Sequence, residues 1–338
     1  SISVLIVDYS TFGAFEECLL LLAKAKLLTR HPEFRLLVNA QNHIIDTLVG
    51  YFGGLQRVYR VKDGFIATTH FDIVYMEIND QDDILEATCT LLDDLREKDH
   101  ENIFIVVFVS GKRQGDELTR ALTTKRFNVH QLYGGQNTRS INEKTNQIIA
   151  VSDDADRLSR HYKDNQINTV IDMGFCTIEQ FDYKEFCTVY TQERISRVEA
   201  ERRAKVINCI SGNCFRMYGK DLKLTEYDRP EIQRINALDI VYLMIMLFPN
   251  QRLTDLEFIS GSLGLDEIND YVLPLLYFMN VIDERCQLVK TDDCTVQSFL
   301  LPVEYAVMMR EAVKSDCAVP VLMIISLLLV LKNNPHLH

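Results

Sequence analysis

Short apolar segments of strand length alternate with segments of helical periodicity through the first half of this 338-residue chain. The alternation is typical of βαβ units, in which helices connect parallel strands and cover the sheet. Ligands bind beyond the carboxyl ends of such strands, so the first positions to consider are Asp8, Asn39, Ser110 and Ser152. The predicted strands are Val4–Val7, Arg35–Val38, Ile103–Val109, Val129–Tyr133, Ile148–Val151 and Thr169–Asp172.

Two helices are predicted between these strands, and the periodicity changes after Pro230. From there the pattern is helical with few strand signals, which favours helical and winged-helix-like modules. The polar stretch 79–83 follows the strand-like segment Phe71–Met76 and is the predicted boundary between two α/β units. The predicted core faces are Phe15, Leu19, Leu22 and Leu27 in one helix, and Ile84, Ala87, Thr88, Leu91 and Leu95 in the other.

Composition narrows the function further. The chain has 36 Lys and Arg against 48 Asp and Glu, a net charge of −12, which opposes a whole-surface grip on DNA or RNA and leaves only a local basic groove. Its nine cysteines form no C-x-x-C pair and have no His at ligand spacing, so we expect reduced thiols and no metal. The longest apolar run, Ala318–Leu331, is shorter than the roughly 20 residues of a bilayer span, so a buried helix in a cytoplasmic protein is predicted. The first residues lack a signal peptide and are typical of a strand inside a domain, so we expect a preceding stretch to be missing.

The first candidate catalytic motif is the segment Ile6–Gly13, in which a carboxylate lies at the end of a predicted strand. NTPases use an Asp here to hold Mg²⁺ and a following Glu to orient the attacking water. This chain has Asp8, but Tyr9 follows it. Because an Asp at a strand end is most often a turn former or a helix cap, the motif alone does not establish nucleotide chemistry.

From Asp8 onward the order of segments resembles the DEAH-box RNA helicases, from motif II to beyond motif VI. NAQ, residues 39–41, lies where the family has the Ser-Ala-Thr of motif III, and TVIDMGF, Thr169–Phe175, is similar to "YVIDPGF". The most specific segments are ERRAKVINCISGNCFRMY, Glu201–Tyr218, which resembles motif VI and its tail, and PEIQRINALDIVYLM, Pro230–Met244, which resembles the start of the winged helix. The resemblance is colinear over nearly the whole chain.

This resemblance implies an α/β fold with tandem RecA-like domains, the first of them partial. A winged-helix-like module and the start of a helical, ratchet-like bundle follow. The implied boundaries are 1–76, 77–229, 230–298 and 299–338.

The chain departs from the family at the positions that carry its chemistry. The catalytic Glu falls on Tyr9, which cannot orient water as a carboxylate does, and the two arginines that approach the γ-phosphate fall on Lys205 and Asn208. Arginine fingers raise the rate of phosphoryl transfer by a factor of roughly 10³–10⁵. The departures from the family therefore imply a protein that is not an enzyme and holds no cofactor. The degenerate motif positions are Asp8, Tyr9, Thr11, Asn39, Gln41, Glu201, Lys205 and Asn208.

Contact with RNA is expected to be weak. Motif V of the family falls on Ser152–Leu158, where three aspartates repel phosphate. The only dense basic stretch supplies the candidate RNA contacts, but acidic residues interrupt it, so an exposed helical face with i,i+4 ion pairs is the alternative. His130 lies within a strand and is interpreted as a core histidine. The candidate RNA contacts are Arg194, Arg197, Arg202 and Arg203.

We therefore expect a catalytically inactive DEAH-box-like scaffold with a protein partner, acting in translational repression of mRNA. Among degenerate members, the pattern of losses is most like that of a germline relative of the YTH-domain-containing DExH helicases, which implies a role in germ-cell differentiation. Neither DNA nor a membrane is an expected partner. Two alternatives stay open. The first is an active but divergent NTP-dependent RNA helicase, of the kind found in viruses among other sources, whose missing groups lie outside this chain. The second is a passive RNA-binding module.

Overall fold

The computed structural model describes residues 4–9, 13–41, 44–54, 70–78, 81–98, 103–133, 147–162, 166–209, 211–261, 264–289 and 301–333. The chain forms two compact units: Ser1–Arg60, Gln180–Val189 and Arg229–His338 make up the first, and Val61–Glu179 and Tyr190–Asp228 the second. The strands are β1 (Val4–Asp8), β2 (Arg35–Asn39), β3 (His70–Tyr75), β4 (Ile103–Phe108), β5 (Val129–Leu132), β6 (Gln147–Ser152), β7 (Thr169–Asp172), β8 (Phe175–Asp182), β9 (Cys187–Arg194) and β10 (Ser211–Arg216). The helices are α1 (Ala14–Leu22), α2 (Leu28–Arg30), α3 (Ile45–Tyr51), α4 (Gln81–Lys98), α5 (Lys112–Thr124), α6 (Ala155–His161), α7 (Arg197–Ala204), α8 (Leu238–Leu247), α9 (Leu265–Glu267), α10 (Leu273–Phe278), α11 (Val303–Lys314) and α12 (Ala318–Asn333).

The second unit is built on a six-stranded sheet of order β3-β10-β7-β4-β6-β5, in which every neighbouring pair is parallel. Successive residues of β4 point to opposite faces: Ile105 and Val107 join one apolar cluster with α4 and α5, whereas Phe104 and Val106 join another with α6 and α7. A parallel sheet is stable when helices cover both faces, which explains why its central strands are almost continuously apolar. The structure is therefore mixed α/β with a parallel sheet compatible with a RecA-like core, as the sequence predicts.

The first unit combines the parallel pair β1 and β2 with the helices that follow Arg229. Ala14, Cys18 and Leu21 of α1 lie in the same buried cluster as Leu238 and Val241 of α8. The backbone N–H of Ala14 also donates to the Glu231 carboxylate at 2.8 Å. Residues of α1 and residues that follow Arg229 thus share one core. The boundaries predicted from the sequence place these two segments in different domains.

Three details differ from the sequence prediction. The segment Phe71–Met76, predicted to belong to residues 1–76, forms β3 and pairs in register with β10 at the edge of the second unit's sheet. The side chain of Phe15 is 62% exposed, because α1 packs through Ala14, Glu17, Cys18 and Leu21. The hairpin of β8 and β9 was not among the predicted strands; its residues from Gln180 to Val189 belong to the first unit.

The predicted C-terminal helix forms as α12, but its predicted burial is wrong. Val319, Met323 and Leu327 are 70%, 69% and 59% exposed, while Ile325 is buried. Residues around the whole circumference of α12 are apolar, and α11 covers only part of it. The described helices include none with the length and apolar character needed to cross a membrane.

Gly212 offers a test of the packing in the second unit. An added Cβ would lie 2.5 Å from the Asn168 carbonyl oxygen and 2.7 Å from a methyl group of Ile207, so Gly212→Ala forces backbone to move. We expect the variant to lose about 1–3 kcal/mol in urea unfolding followed by circular dichroism. The control is Gly219→Ala, whose Cβ meets nothing within 4 Å and which should change stability by less than about 0.5 kcal/mol. Equal stability of the two variants would contradict this packing.

Candidate functional site

Two of the motif residues meet at the carboxyl end of the parallel pair in the first unit. Asp8 and Asn39 are the last residues of β1 and β2 and are partners in register. The Asn39 side-chain amide donates to the Asp8 carboxylate at 2.9 Å. The residue that stands for the first motif III position is therefore bonded to the residue that stands for the magnesium-binding Asp.

Tyr9, which the resemblance aligns with a catalytic Glu, turns into the core. It is 0% exposed, and its hydroxyl donates to Oε1 of Glu17 at 2.8 Å. Burial, followed by the nearby Glu17 charge, raises the pKa of Tyr9 far above its ordinary value, so the phenol stays protonated. Thr11, at the position of the DEAH His, lies outside the described residues, and Gln41 accepts the Ile44 backbone N–H at 3.1 Å.

Glu17 is a buried acid that sequence reasoning missed. Its side chain accepts from the Tyr9 hydroxyl, from the Ser260 hydroxyl at 2.6 Å and from the Ser260 backbone N–H at 3.3 Å. Burial raises the pKa of Glu17, and the hydrogen bonds from Ser260 and Tyr9 offset only part of that effect. The available signal was a carboxylate on the same side of α1 as Ala14, Cys18 and Leu21.

The motif VI helix α7 in the second unit is organised around Arg203. This side chain is 0% exposed and donates to Glu199 Oε1 at 3.0 Å, Asp172 Oδ1 at 2.8 Å and the Phe175 carbonyl at 3.0 Å. Burial alone lowers the pKa of Arg203, but the Asp172 and Glu199 carboxylates outweigh it and raise the pKa, so the guanidinium stays charged. Removing one partner of such a buried pair costs roughly 3–5 kcal/mol. Arg203 therefore stabilises the unit and is inaccessible to RNA, contrary to its place among the candidate contacts.

Two other candidate RNA contacts are also in ion pairs. Arg202 donates to Glu199 Oε2 at 2.7 Å and to Asp156 Oδ2 at 3.0 Å. Arg197 lies 3.8 Å from Glu201 in an i,i+4 pair and 3.6 Å from Glu226. The arrangement matches the ion-paired helical face that was the alternative to RNA binding.

The remaining motif VI positions serve the backbone and the core. Asn208, in place of an arginine finger, accepts the Ile167 N–H through its side chain at 2.7 Å and donates its own N–H to the Ile167 carbonyl at 3.2 Å. Ile207, in the segment that resembles motif VI, is 1% exposed within the cluster that contains Val170. Lys205 is exposed at the end of α7. Asn208 and Ile207 are thus held by the backbone and the core of the unit.

The motif V segment is a helix start. Asp154 caps α6 by accepting the N–H groups of Asp156 at 2.8 Å and Arg157 at 3.1 Å. The hydroxyl of Ser152 is buried and donates to the carbonyls of Leu132 at 3.2 Å and Asp154 at 3.0 Å. In this segment Asp154 therefore acts as a helix cap and not as a contact for a nucleic acid.

The predicted core histidine is confirmed. His130 is 8% exposed, and its Nδ1 lies 3.2 Å from the Tyr162 hydroxyl. Burial lowers the pKa of His130, which keeps the ring neutral near neutral pH. Ser110, the other strand-end position, donates its backbone N–H to Gln114 at 2.7 Å and so helps to begin α5.

One row of residues marks the carboxyl edge of the six-stranded sheet. Tyr75, Arg216 and Asp172 end β3, β10 and β7 and are partners in register. Phe108 and Ser152 continue the row on β4 and β6. Because partners in register point to the same face, these side chains form a single line across the sheet.

Among the described residues, no group of three or more His, Cys, Asp or Glu side chains is placed to hold a metal ion. The chain matches no protein-family model and no curated protein at a significant level. The class defined by the structure is thus a mixed α/β protein with a parallel six-stranded sheet.

Glu17 predicts a pH dependence of stability. Its pKa in the folded chain lies above the ordinary value of 4.5, so the folded state binds this proton more tightly than the unfolded state. This contribution to stability is complete at acidic pH and is lost as the pH rises from about 4.5 through the folded pKa. The free energy of unfolding of the wild type, relative to Glu17→Gln, should therefore fall as the pH rises above about 4.5. Urea titrations at a series of pH values test this, and parallel curves for the two proteins would refute it.

Proposed function

We propose that this protein is a DEAH-box helicase-like scaffold that has lost catalysis and binds a protein partner in translational repression. The observation that carries the proposal is the inward orientation of Tyr9 at the position where the family has its catalytic Glu. The phenol is buried and bonded to Glu17, so no acid at this position faces an attacking water. Hydrolysis of a terminal phosphate depends on such a group and on arginine fingers.

The motif VI positions support the same conclusion. Asn208 is bonded to the backbone of Ile167, and Ile207 fills part of a core, so two positions that serve nucleotide chemistry in the family serve folding here. The family framework is retained while the phosphate-directed groups are exchanged. A chain that keeps its fold without its chemistry fits a binding role.

Two features bear on what is bound. Arg197, Arg202 and Arg203 are in ion pairs with acids of the same unit, which supports weak RNA binding at most. In contrast, α12 exposes Val319, Met323 and other large apolar side chains, and the segment Ala318–Leu331 has no charged residue. Exposed apolar surface of this extent favours association with a protein whose contacting face is also apolar and uncharged.

The pattern of lost motifs is most similar to that of the benign gonial cell neoplasm protein. That resemblance proposes the bag-of-marbles protein as the partner, the cytoplasm as the location and germ-cell differentiation as the process. The competing proposal is an active helicase whose missing groups are supplied from outside this chain. It is favoured only by the retained Asp8 and Arg202, which are bonded to Asn39 and Glu199.

Hydrolysis measurements separate the two proposals. The full-length protein should show no RNA-stimulated ATP hydrolysis above background, because Tyr9 cannot orient water and Asn208 cannot stabilise the transferred phosphoryl group. An ordinary DEAH-box helicase under the same conditions serves as the positive control. Turnover comparable to that control would remove the scaffold proposal.

The partner surface is tested by charge substitution on α12. Met323→Glu and Leu327→Glu place carboxylates on an exposed apolar face, so affinity for the purified bag-of-marbles protein should fall at least tenfold while the circular dichroism spectrum is retained. The matched control is Tyr190→Glu on β9, where the side chain is 67% exposed, and its affinity should equal that of the wild type. Wild-type affinity in the two α12 variants would exclude this surface, and no binding by the wild type would exclude the partner.

A further inference from the structure

Arg216, at the end of β10, is a buried cation that lacks an acidic partner. The residue is 7% exposed, and its Nη1 donates to the Tyr75 hydroxyl at 2.9 Å. Its Nε and Nη2 atoms are buried and have no hydrogen-bond partner. Buried donors in folded proteins are almost always bonded, so an arginine with two unbonded nitrogens indicates a missing acceptor.

The groups that act most strongly on Arg216 are two phenols and a thiol. Burial alone lowers the pKa of Arg216, but Tyr218, Tyr75 and Cys214 outweigh it, so the pKa is raised and the guanidinium stays charged. Burial, followed by the Asp172 charge, raises the pKa of Tyr218 above its ordinary value, and burial raises that of Cys214 to about 12, so neither ionises. The nearest acid of the strand row, Asp172, already accepts from Arg203, Tyr218 and the Gly174 N–H.

Arg194, at the end of β9, also has a buried nitrogen without a hydrogen-bond acceptor, and it lies beside Tyr218. Its Nη1 is buried without a hydrogen-bond partner, and its guanidinium stacks on the Phe175 ring at 3.8 Å. A Cβ added at Gly174 would lie 2.5 Å from a ring carbon of Tyr218 and 3.3 Å from this Nη1 atom, so the phenol and the guanidinium both pack against the Gly174 backbone. Burial lowers the pKa of Arg194, and Tyr218 is the group that acts against it.

Arg203, in the same unit, shows that this fold supplies acids where an arginine is purely structural. Its guanidinium is bonded to two carboxylates and one carbonyl. Arg194 and Arg216 receive aromatic rings, one phenol hydroxyl and the Cys214 thiol, and no carboxylate among the described residues bonds to them. The difference assigns a ligand-binding role to the unpaired arginines and a structural role to Arg203.

We propose that Arg194 and Arg216 bind a phosphate group at the carboxyl edge of the six-stranded sheet. Planar guanidinium groups match phosphate oxygens through paired N–H donors, and a phosphate monoester carries about two negative charges near neutral pH, which matches two guanidinium groups that have no bonded carboxylate among the described residues. Ligands of open parallel sheets bind at this edge. Tyr75 is partly exposed on the edge strand β3. A phosphate therefore reaches Arg216 by displacing the Tyr75 hydroxyl, to which Arg216 donates.

This site is distinct from the degenerate hydrolysis motifs and does not rest on the proposed function. It contains neither Asp8 nor any of the positions in Glu201–Asn208. The phosphate comes either from the free ion or from the terminal phosphate of a nucleotide. Binding at this site predicts no hydrolysis, so the ATPase measurement and the phosphate measurement succeed or fail separately.

Calorimetry and thermal unfolding in phosphate-free buffer test the site, with inorganic phosphate, AMP and adenosine as probes. The wild type should bind phosphate and AMP and melt at a higher temperature in their presence, while adenosine, which has no phosphate, should do neither. Binding by AMP but not by phosphate would show that the nucleotide, and not the phosphate group alone, is the source. Binding of adenosine as tightly as AMP, or no response to either phosphate compound, would overturn the proposal.

Variants assign the contacts. Arg194→Met, which removes a partly exposed side chain, should weaken phosphate binding at least tenfold, and Arg216→Lys, which keeps the charge but loses the planar fork, should do the same. Arg197→Met is the control, because this arginine is exposed and pairs with Glu201 and Glu226, and it should bind as the wild type does. If Arg216→Lys does not fold, Arg194→Met decides alone, and wild-type affinity in that variant would refute the site.

Discussion

The second unit depends on one guanidinium group that is entirely excluded from solvent. Arg203 joins α7 to the end of β7 through Asp172, and to the start of β8 through the Phe175 carbonyl. Asp172 also accepts a hydrogen bond from the hydroxyl of Tyr218, a residue that follows β10. A buried charge is tolerable only when its hydrogen bonds are complete, and here the carboxylates of Asp172 and Glu199 complete them. The carboxyl edge of the sheet is thus fixed by a set of charges that cannot be removed singly.

Elsewhere in both units, polar side chains satisfy groups of the protein itself. Positions that resemble phosphate-directed motifs of the DEAH-box helicases are occupied by groups that bond to the protein itself: Tyr9 to Glu17, Asn208 to Ile167, and Asp154 to the first turn of α6. Each of these side chains satisfies a buried or terminal polar group, which stabilises the fold. Arg216 differs, because its guanidinium donates to the Tyr75 phenol and bonds to no carboxylate among the described residues.

Much of the fold was predictable because it follows from local periodicity. Six predicted strands coincide with β1, β2 and β4–β7 to within a residue or two, since apolar runs of this length have few alternatives in a parallel sheet. Where a strand pairs is not a local property, so the segment that forms β3 was assigned to the wrong side of the boundary. The burial of α12 was predicted wrongly for a related reason: a uniformly apolar helix indicates that something should cover it, but not whether the described chain does.

The sequence by itself determined which groups are present: Tyr9 after the strand-end Asp8, Lys205 and Asn208 in the segment that resembles motif VI, and a basic stretch interrupted by acids. It could not determine which of those charges would be neutralised. Arg203 meets a carboxylate 31 positions away, whereas the guanidinium of Arg216, which is nearly as buried, bonds to a tyrosine. That difference arises because strands distant in sequence lie side by side in the sheet, so the electrostatic environment of each side chain is set by neighbours that only the tertiary structure supplies.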